Sequence, residues 1–318
     1  WHMRNCHLPA DIAEEHSETP YMTDRAMAFI EDAGDQPWCL HLSYIKPHWP
    51  YIAPAPYHDL YGPEHVIPVN QGEAERAAPH PVLGAFMQHE ESVNFSREEV
   101  RQRVIPAYMG LIAQIDDQIA RLMDFLDARG LRDNTLIVFT SDHGDYLGDH
   151  WLGEKELFHE ESAKVPLIVV DPRPEADATR GTVDDALVEA IDLLPTFVEA
   201  AGGELGSPWL EGRSLMPLLR GEDVTDWRDA VFAEADYAWR HARLNLGLAA
   251  DAARAWMVCD GQWKFIWYQG FRPQLFNLAD DPGELSDLGF GFHHPQRAHQ
   301  RRGIRHLQPR QRLEERHA

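Results

Sequence analysis

The sequence predicts an α/β region followed by a small antiparallel sheet. Two uninterrupted runs of β-branched and aromatic residues, 135–140 and 165–170, alternate with stretches of helical periodicity. Such runs are typical of strands covered on both faces within an α/β sheet. After about Gly221 the pattern changes to short strand candidates joined by tight turns. We therefore predict an α/β domain, a small antiparallel subdomain and an atypical basic tail, over residues 1–221, 222–289 and 290–318.

The first predicted helix begins at Thr19-Pro20, an N-cap followed by proline in the first turn, and ends at Gly34. Its apolar residues share one face: Met22, Ala26, Phe29, Ile30 and Ala33. A short apolar run, 38–44, then predicts a strand that leads into the proline-rich loop 45–51.

A capping box at Ser96–Glu99 predicts the start of a long helix that ends near Gly130. Pro106 lies inside this helix and is expected to kink or restart it. A further helix is predicted over 185–201, because Gly202 provides a C-terminal stop.

Beyond Gly221, Asp260-Gly261 is a hairpin signal between two strand candidates. The strand candidates of this region are 231–233, 255–259, 263–268 and 274–276.

The composition excludes several classes of protein. There are 52 acidic and 29 basic residues, a formal net charge of -23, which argues against a nucleic-acid-binding surface. No run approaches the roughly 18 apolar residues of a membrane span, so no membrane partner is predicted. The three cysteines are widely spaced and predict no disulfide framework, which favours a reducing, cytoplasmic location. The chain starts at Trp1 without a signal-like segment, and a lost targeting sequence stays open.

The predicted tail differs in charge from the rest of the chain. From Phe290 onward seven Arg stand against two Glu, a net charge of +5, which leaves -28 for residues 1–289. The tail fits a partner-binding arm, or a frameshift near Gly289 that translation of the other reading frames would reveal.

The stretch 140–150 contains the residues that point most clearly to a functional site. Asp142 and His143 directly follow a predicted strand, where ligands bind in open α/β sheets, and Gly144 lets the chain turn away. A carboxylate and an imidazole together suit Mn²⁺ or Zn²⁺, and are compatible with Ca²⁺. On these residues alone, a polar strand-to-loop turn without a ligand is the favoured interpretation.

Two further residues are candidates for anion contacts. Lys155 is one of only four lysines and lies thirteen positions beyond Asp142, where it could bind an anionic oxygen. His48 lies between Pro47 and Pro50, on a stiff segment. The alternatives are that Lys155 is an ordinary surface lysine and that His48 is an exposed loop histidine without a function. His41, His150 and His159 are interpreted as having no role in a site.

Several motifs together resemble the sulfatase branch of the alkaline phosphatase superfamily, and within it the phosphonate monoester hydrolases. They extend over nearly the whole chain. The matching segments are His41–Tyr51, Thr140–Gly144, Leu147–His150, Gly148–Lys155, Asp192–Thr196, Gly212–Leu219 and Leu275–Glu284.

The resemblance implies a large mixed α/β sheet flanked by helices, of which this chain is the C-terminal portion, and a smaller C-terminal antiparallel sheet. It implies one divalent metal ion, Mn²⁺, Ca²⁺ or Zn²⁺, bound in part by Asp142 and His143. It also implies that His48 and Lys155 are catalytic and substrate-binding residues of an enzyme that hydrolyses small anionic sulfate, phosphonate or phosphate esters. Homo-oligomers are compatible with the family.

The nucleophile of the family is missing. That family forms a formylglycine from the cysteine of a C-x-P-x-R motif, whereas Cys6–Ala10 reads Cys-His-Leu-Pro-Ala. We therefore expect a fragment of a longer enzyme, without turnover of its own. The alternatives are a phosphodiesterase or phosphomonoesterase with a Ser or Thr nucleophile, and a catalytically dead scaffold or binding protein.

Overall fold

The computed structural model of the protein describes residues 3–206 and 208–291, with side chains described through Gly289. Most of the predicted basic tail lies outside the described residues. The helices are α1 Glu18–Ala33, α2 Glu73–Ala77, α3 Pro81–Phe86, α4 Glu90–Phe95, α5 Glu98–Ala128, α6 Glu160–Ala163, α7 Leu193–Ala200, α8 Met216–Leu219 and α9 His241–Asn245. The strands are β1 Ile137–Thr140, β2 Leu167–Val170, β3 Val231–Asp236, β4 Arg254–Cys259, β5 Trp263–Tyr268 and β6 Gln274–Asn277.

Unit one comprises Trp1–Val69 and Asn94–Thr135, and in it α5 packs against α1 and against the turn at Tyr57–Asp59. Helix α1 ends at Gly34 with a φ of 55°, as predicted for a glycine stop. It starts one residue before Thr19, with Ser17 as the N-cap residue. The Ser17 hydroxyl accepts a hydrogen bond from Gln114 Nε2 of α5 at 2.9 Å. The hydroxyl therefore joins two helices instead of capping one.

One prediction in unit one is wrong in part and another is wrong. Helix α5 runs without interruption through the buried Pro106, so the proline does not restart it, and the predicted kink stays a prediction. The apolar run 38–44 forms no strand among the described residues, because a strand needs a neighbouring ladder to satisfy its backbone groups. That run is fixed in part by Tyr44, whose hydroxyl lies 2.8 Å from Thr23 Oγ1 of α1.

Unit two comprises Asn70–Val93 and the described chain from Leu136 onward. Its strands β1 and β2 pair antiparallel, with Ile137 opposite Val170 and Thr140 opposite Leu167. The expectation that these strands are covered on both faces is wrong for the described residues. Ile168 is 57% exposed and Phe139 40% exposed, so an apolar surface of this two-stranded sheet faces solvent.

The second sheet of unit two matches the prediction closely. Its strand order is β3-β4-β5-β6, with every neighbouring pair antiparallel. Asp260 and Gly261 form the predicted hairpin turn, in which Asp260 Oδ1 accepts from the Trp263 amide at 2.7 Å and Gly261 has a φ of 87°. Alternate side chains of β5 point inward, and the core packs around Ile266, Tyr268 and Phe276.

A charged side chain of β5 lies in that core. Lys264 of β5 is 1% exposed, and its Nζ donates to the Phe158 carbonyl at 2.8 Å. The same Nζ contacts Glu160 Oε1 at 2.7 Å and Glu284 Oε1 at 2.9 Å. This buried ammonium is tolerated because the two carboxylates balance its charge and the carbonyl accepts one of its hydrogen bonds.

The helix predicted over 185–201 is shorter in the structure. Only α7 is an α-helix, preceded by a single 3₁₀ turn at Ala190–Asp192. Residues upstream of Ala190 are not helical because their polar groups serve other segments: Glu189 Oε1, for example, accepts from the Phe232 amide of β3 at 2.7 Å. The predicted stop at Gly202 is present, with a φ of 77°.

The fold class is confirmed: the chain is α/β, and its described residues form helices, a two-stranded antiparallel sheet and a four-stranded C-terminal antiparallel sheet. The predicted domain boundaries at 221 and 289 stay predictions, although the four-stranded sheet does fall between them. No described helix combines the length and apolar composition needed to cross a bilayer.

Candidate functional site

Asp142 and His143 follow β1 immediately, in the turn that leaves the strand. The Ser141 hydroxyl donates to the His143 carbonyl at 2.8 Å, and the His143 amide donates to Asp142 Oδ1 at 3.0 Å. The Asp142 carboxylate is 85% exposed and the His143 side chain 32% exposed. The turn thus presents a carboxylate and an imidazole side by side to solvent.

The hydrogen bonds of His143 determine which ring nitrogen is available to a metal. Its Nδ1 lies 2.7 Å from the Gly144 carbonyl, which can only accept, so Nδ1 carries the proton of the neutral ring. Its Nε2 lies 3.5 Å from Asp142 Oδ2. A backbone carbonyl that holds one nitrogen while the other binds metal is the usual arrangement for histidine ligands. The pair therefore fits two ligands of one divalent ion.

Gly144 is required by the close approach of a neighbouring segment. Its amide donates to the Ser162 carbonyl at 2.9 Å, and a Cβ at position 144 would lie 1.9 Å from the Glu161 carbonyl oxygen. A side chain here would push the Asp142–His143 turn away from the segment that starts at Glu160.

We expect Gly144→Ala to lower the free energy of unfolding by about 1–3 kcal/mol, the usual range for overpacking a close contact. Urea unfolding followed by circular dichroism measures this change. Gly206→Ala is the matched control, because a Cβ there meets nothing within 4 Å, and we expect a change within about 0.5 kcal/mol. Equal stability of the two variants would contradict this account of the Gly144 contact.

Lys155 lies in the same unit and is tied to the same segment. Its backbone carbonyl accepts a hydrogen bond from Ser162 Oγ at 2.7 Å, and its side chain is partly exposed. Since the Ser162 carbonyl holds the Gly144 amide, one buried serine connects the backbone at Lys155 with the backbone beside His143.

The positions and contacts of the other three lysines require no role in a functional site. Lys264 is in the core, and Lys164 is a surface residue whose side chain is 77% exposed. Lys46 Nζ donates to the Pro50 carbonyl at 3.0 Å and braces its own loop.

His48 belongs to unit one, on the loop that Lys46 braces. Its Nδ1 lies 2.8 Å from the Trp49 carbonyl, so the proton of the neutral ring is on Nδ1. The ring is half-buried, with its centroid 5.1 Å from that of Trp49. The orientation of His48 is therefore fixed within its loop.

Two histidines for which no site role was predicted, His150 and His159, belong to a buried cluster in unit two. His150 Nδ1 lies 2.8 Å from Glu75 Oε1, and His150 Nε2 lies 3.3 Å from Glu161 Oε2. The His150 ring stacks on His159 at 3.9 Å between centroids, and His159 Nδ1 lies 2.8 Å from the Tyr146 hydroxyl. Nothing in the sequence indicates this cluster, because Glu75 is 75 positions from His150.

The cluster has strongly perturbed pKa values. Burial opposes a charge on His150, but the hydrogen bonds and charges of Glu161 and Glu75 outweigh it and raise the His150 pKa to about 9. Burial and the adjacent charge of His150 lower the pKa of His159 well below its ordinary value. We infer a cationic His150 stacked on a neutral His159.

Donor atoms of Glu75, His150 and His159 lie within 4.8 Å of one another, a spacing that could hold a metal ion. However, both ring nitrogens of His150 already face carboxylates, and the two rings are nearly parallel, at 14°. Metal ligands coordinate in the plane of each ring, so stacked rings do not aim at one ion. The described arrangement is a charge cluster, whereas Asp142–His143 has the geometry of a ligand pair.

Comparisons with known proteins agree with the motifs. A family described as Sulfatase matches residues 6–203, and one described as N-sulphoglucosamine sulphohydrolase, C-terminal, matches residues 148–303. The multifunctional alkaline phosphatase superfamily protein PehA of Trinickia caryophylli is 34% identical over 88% of this chain and 57% of its own length. The choline-sulfatase of Rhizobium meliloti is 33% identical over 81% of this chain and 47% of its own length.

Solved structures give the same result. The phosphonate monoester hydrolase SpPMH from Silicibacter pomeroyi superposes with a TM-score of 0.83 at 30% identity, covering 98% of this chain and 62% of that one. The phosphonate monoester hydrolase of Agrobacterium radiobacter superposes with a TM-score of 0.78 at 29% identity, covering 89% and 61%. This chain thus spans about half to three-fifths of the length of these relatives.

Proposed function

The chain belongs to the sulfatase family of the alkaline phosphatase superfamily, a family of metal-dependent hydrolases, and we propose that it supplies part of an ester hydrolase site. The substrates are small anionic sulfate esters or phosphonate and phosphate esters. The observation that carries this proposal is the convergence of Asp142 Oδ2 and His143 Nε2 at 3.5 Å, with the other nitrogen of His143 held by a carbonyl.

The chain's own residues have distinct roles in this proposal. Asp142 and His143 would hold the divalent ion, Mn²⁺, Ca²⁺ or Zn²⁺, which when bound stabilises negative charge on the ester's non-bridging oxygens. Lys155 would bind one of those oxygens with a second positive charge. His48 would bind an ester oxygen through Nε2 and, when Nε2 also carries a proton, transfer that proton to the leaving oxygen. The roles of Lys155 and His48 rest on the motif resemblance, supported by the fixed backbone around each residue.

The nucleophile is proposed to come from protein outside these 318 residues. Cys6 is fully buried, and burial raises the pKa of its thiol, which opposes formation of the reactive thiolate. Cys259 is buried with a raised pKa as well. The exposed Cys39 has no C-x-P-x-R motif around it. The coverage of relatives and the exposed apolar surface of β1 and β2 support a larger enzyme.

Metal binding tests the ligand pair directly. We expect the 318-residue chain to bind Mn²⁺, detected by electron paramagnetic resonance. In His143→Ala one ion should bind with an affinity lower by at least about 10-fold, or 1.4 kcal/mol. The exposed His241→Ala is the matched control and should bind as the unaltered chain does. Unchanged Mn²⁺ binding in His143→Ala would remove this pair from the proposal.

Measurements of activity test the proposal that the nucleophile lies outside this chain. We expect no hydrolysis of a chromogenic aryl sulfate or aryl phosphonate ester by the metal-loaded chain alone, and turnover by this chain would contradict an external nucleophile. The coding DNA upstream of Trp1 distinguishes the other outcomes. An in-frame C-x-P-x-R supports a formylglycine hydrolase, a Ser or Thr in its place supports a phosphodiesterase, and a stop codon beside a start site supports a scaffold.

A further inference from the structure

The segment 142–162, hereafter the site loop, carries both Asp142–His143 and Lys155, yet contains little regular structure. It has one 3₁₀ turn at Asp149–Trp151 before α6 begins. Four of its residues other than glycine have a left-handed backbone, each with φ between 47° and 63°: Leu147, His150, Trp151 and Glu154. Such conformations cost about 1–3 kcal/mol each and persist only where surrounding contacts impose them.

The backbone of the site loop is held by the segment 70–75. The Asn70 amide donates to Asp149 Oδ1 at 2.6 Å, and the His150 amide donates to the Asn70 carbonyl at 2.8 Å. Gln71 Nε2 donates to the Gly148 carbonyl at 2.6 Å, and Trp151 Nε1 donates to the Gly72 carbonyl at 3.0 Å. These contacts fix the middle of the site loop, which contains the left-handed residues His150 and Trp151 and follows Leu147.

The side chain of His150 fixes the same part by charge. It is fully buried between the carboxylates of Glu75, from α2, and Glu161, from α6. Asn70 Nδ2 donates to Glu161 Oε1 at 2.9 Å and so orients the second carboxylate. The imidazole therefore joins the middle of the site loop to its end and to a separate helix.

The end of the site loop is where the candidate site is held. Ser162, next to Glu161, accepts from the Gly144 amide with its carbonyl and donates to the Lys155 carbonyl with its hydroxyl. Displacement of Glu161 would move Ser162, and with it the backbone of both candidate site segments.

We propose that the clamp of His150 between Glu75 and Glu161 is a positioning device for the site loop. The identity of the loop as a site rests on the proposed function, whereas the clamp itself is testable without activity. His150 touches no substrate and acts through Glu161 and Ser162 on the residues that do.

The clamp depends on pH in a defined direction. The groups that face His150 are Glu75, Glu161, the neutral His159, the Asn70 amide, whose Nδ2 lies 3.4 Å from His150 Nε2, and the ring of Tyr146, 6.1 Å away. Because the His150 pKa is raised from 6.5 to about 9, its stabilisation is complete below about pH 6.5 and is lost as the pH rises through 9. The site loop should therefore loosen in alkaline solution.

Hydrogen exchange of the intact chain tests the clamp. We expect protection of the Gly144, Tyr146 and Gly148 amides, corrected for intrinsic exchange, to fall at least about 10-fold between pH 7 and pH 10. Amides of β4 and β5 should keep their protection over the same range. In His150→Gln the site loop should be weakly protected at both pH values, while the exposed His241→Gln should behave as the unaltered chain.

Two results would overturn the proposal. One is loop protection that does not change with pH in the unaltered chain, which needs no variant to fold. The other is an equal loss of protection in β4 and β5, which would make His150 a residue of global stability only. Neither result depends on metal binding or turnover, so failure of the clamp and failure of the proposed function are separate outcomes.

Discussion

Lys155→Ala is expected to lower kcat/KM for ester hydrolysis by about 10²- to 10³-fold in the enzyme that joins this chain to its nucleophile. The reason is electrostatic: a positioned cation at a developing negative oxygen acts mainly in the transition state, and its removal costs about 2.7–4 kcal/mol. Steady-state kinetics with an aryl sulfate and an aryl phosphonate ester measure the loss. The backbone at Lys155 is fixed by Ser162, so the ammonium is carried on an ordered main chain.

Lys164→Ala is the control for this prediction. Lys164 is nine positions away and 77% exposed at the side chain, and it pairs with Glu160 at 3.7 Å on the surface. Its loss should leave kcat/KM within about 2-fold, because exposed ion pairs contribute about 0–1 kcal/mol. A Lys155→Ala enzyme that also stayed within that range would exclude Lys155 from the catalytic machinery.

Asp192→Ala is expected to have the largest effect on stability, a loss of about 3–5 kcal/mol, because it leaves a partner charge uncompensated. Asp192 is fully buried and forms two contacts with the Arg228 guanidinium. Its carboxylate also accepts from the Arg213 amide at 2.7 Å and from the Glu189 amide at 2.8 Å. Chemical denaturation of the two variants, Asp192→Ala and the control Asp229→Ala at an exposed position, measures the difference.

The same carboxylate makes the stability of the fold depend on pH in the acid range. Burial raises the pKa of Asp192, but the hydrogen bonds from Arg228 and from the two amides outweigh burial and lower it below its ordinary value. A carboxylate with a lowered pKa stabilises the fold above its unfolded pKa, near 3.9, and this contribution disappears as the pH falls through the folded value. As the pH falls, Asp192→Ala should therefore lose less stability than the unaltered chain does. An Asp192→Ala chain as stable as Asp229→Ala would contradict this account.

This buried pair explains two sequence motifs that sequence reasoning could assign only by resemblance. The segments Asp192–Thr196 and Gly212–Leu219 are neighbours in space: Thr196 Oγ1 accepts from the Leu215 amide at 2.8 Å. A Cβ on Gly212 would lie 2.1 Å from the Ile191 carbonyl oxygen, so the two segments approach too closely for any side chain there. The hydrogen bond and the close approach give these two motifs a structural role.

Local signals in the sequence predicted several elements well. The stops at Gly34 and Gly202 and the turn at Asp260-Gly261 were predicted because positive φ and turn chemistry depend on one or two residues. The strands of the C-terminal sheet were predicted because alternation and β-branched residues are local as well. Predictions that depend on a neighbouring segment did not succeed. The run 38–44 pairs with no strand within residues 3–206 and 208–291. The start of α7 depends on where distant segments bind Glu189 and Asp192.

By itself, the sequence determined the α/β class, the C-terminal antiparallel sheet, the family and the candidates His48, Asp142, His143 and Lys155, because residue types and spacings carry that information. Only the tertiary structure showed which nitrogen of His143 faces Asp142 and that Ser162 links the backbones at Gly144 and Lys155. It also showed that His150 and His159, which the sequence does not distinguish from other histidines, are stacked in a buried charge cluster. The physical reason is that charge, hydrogen bonding and burial act between groups far apart in the chain, and a single sequence does not encode those distances explicitly.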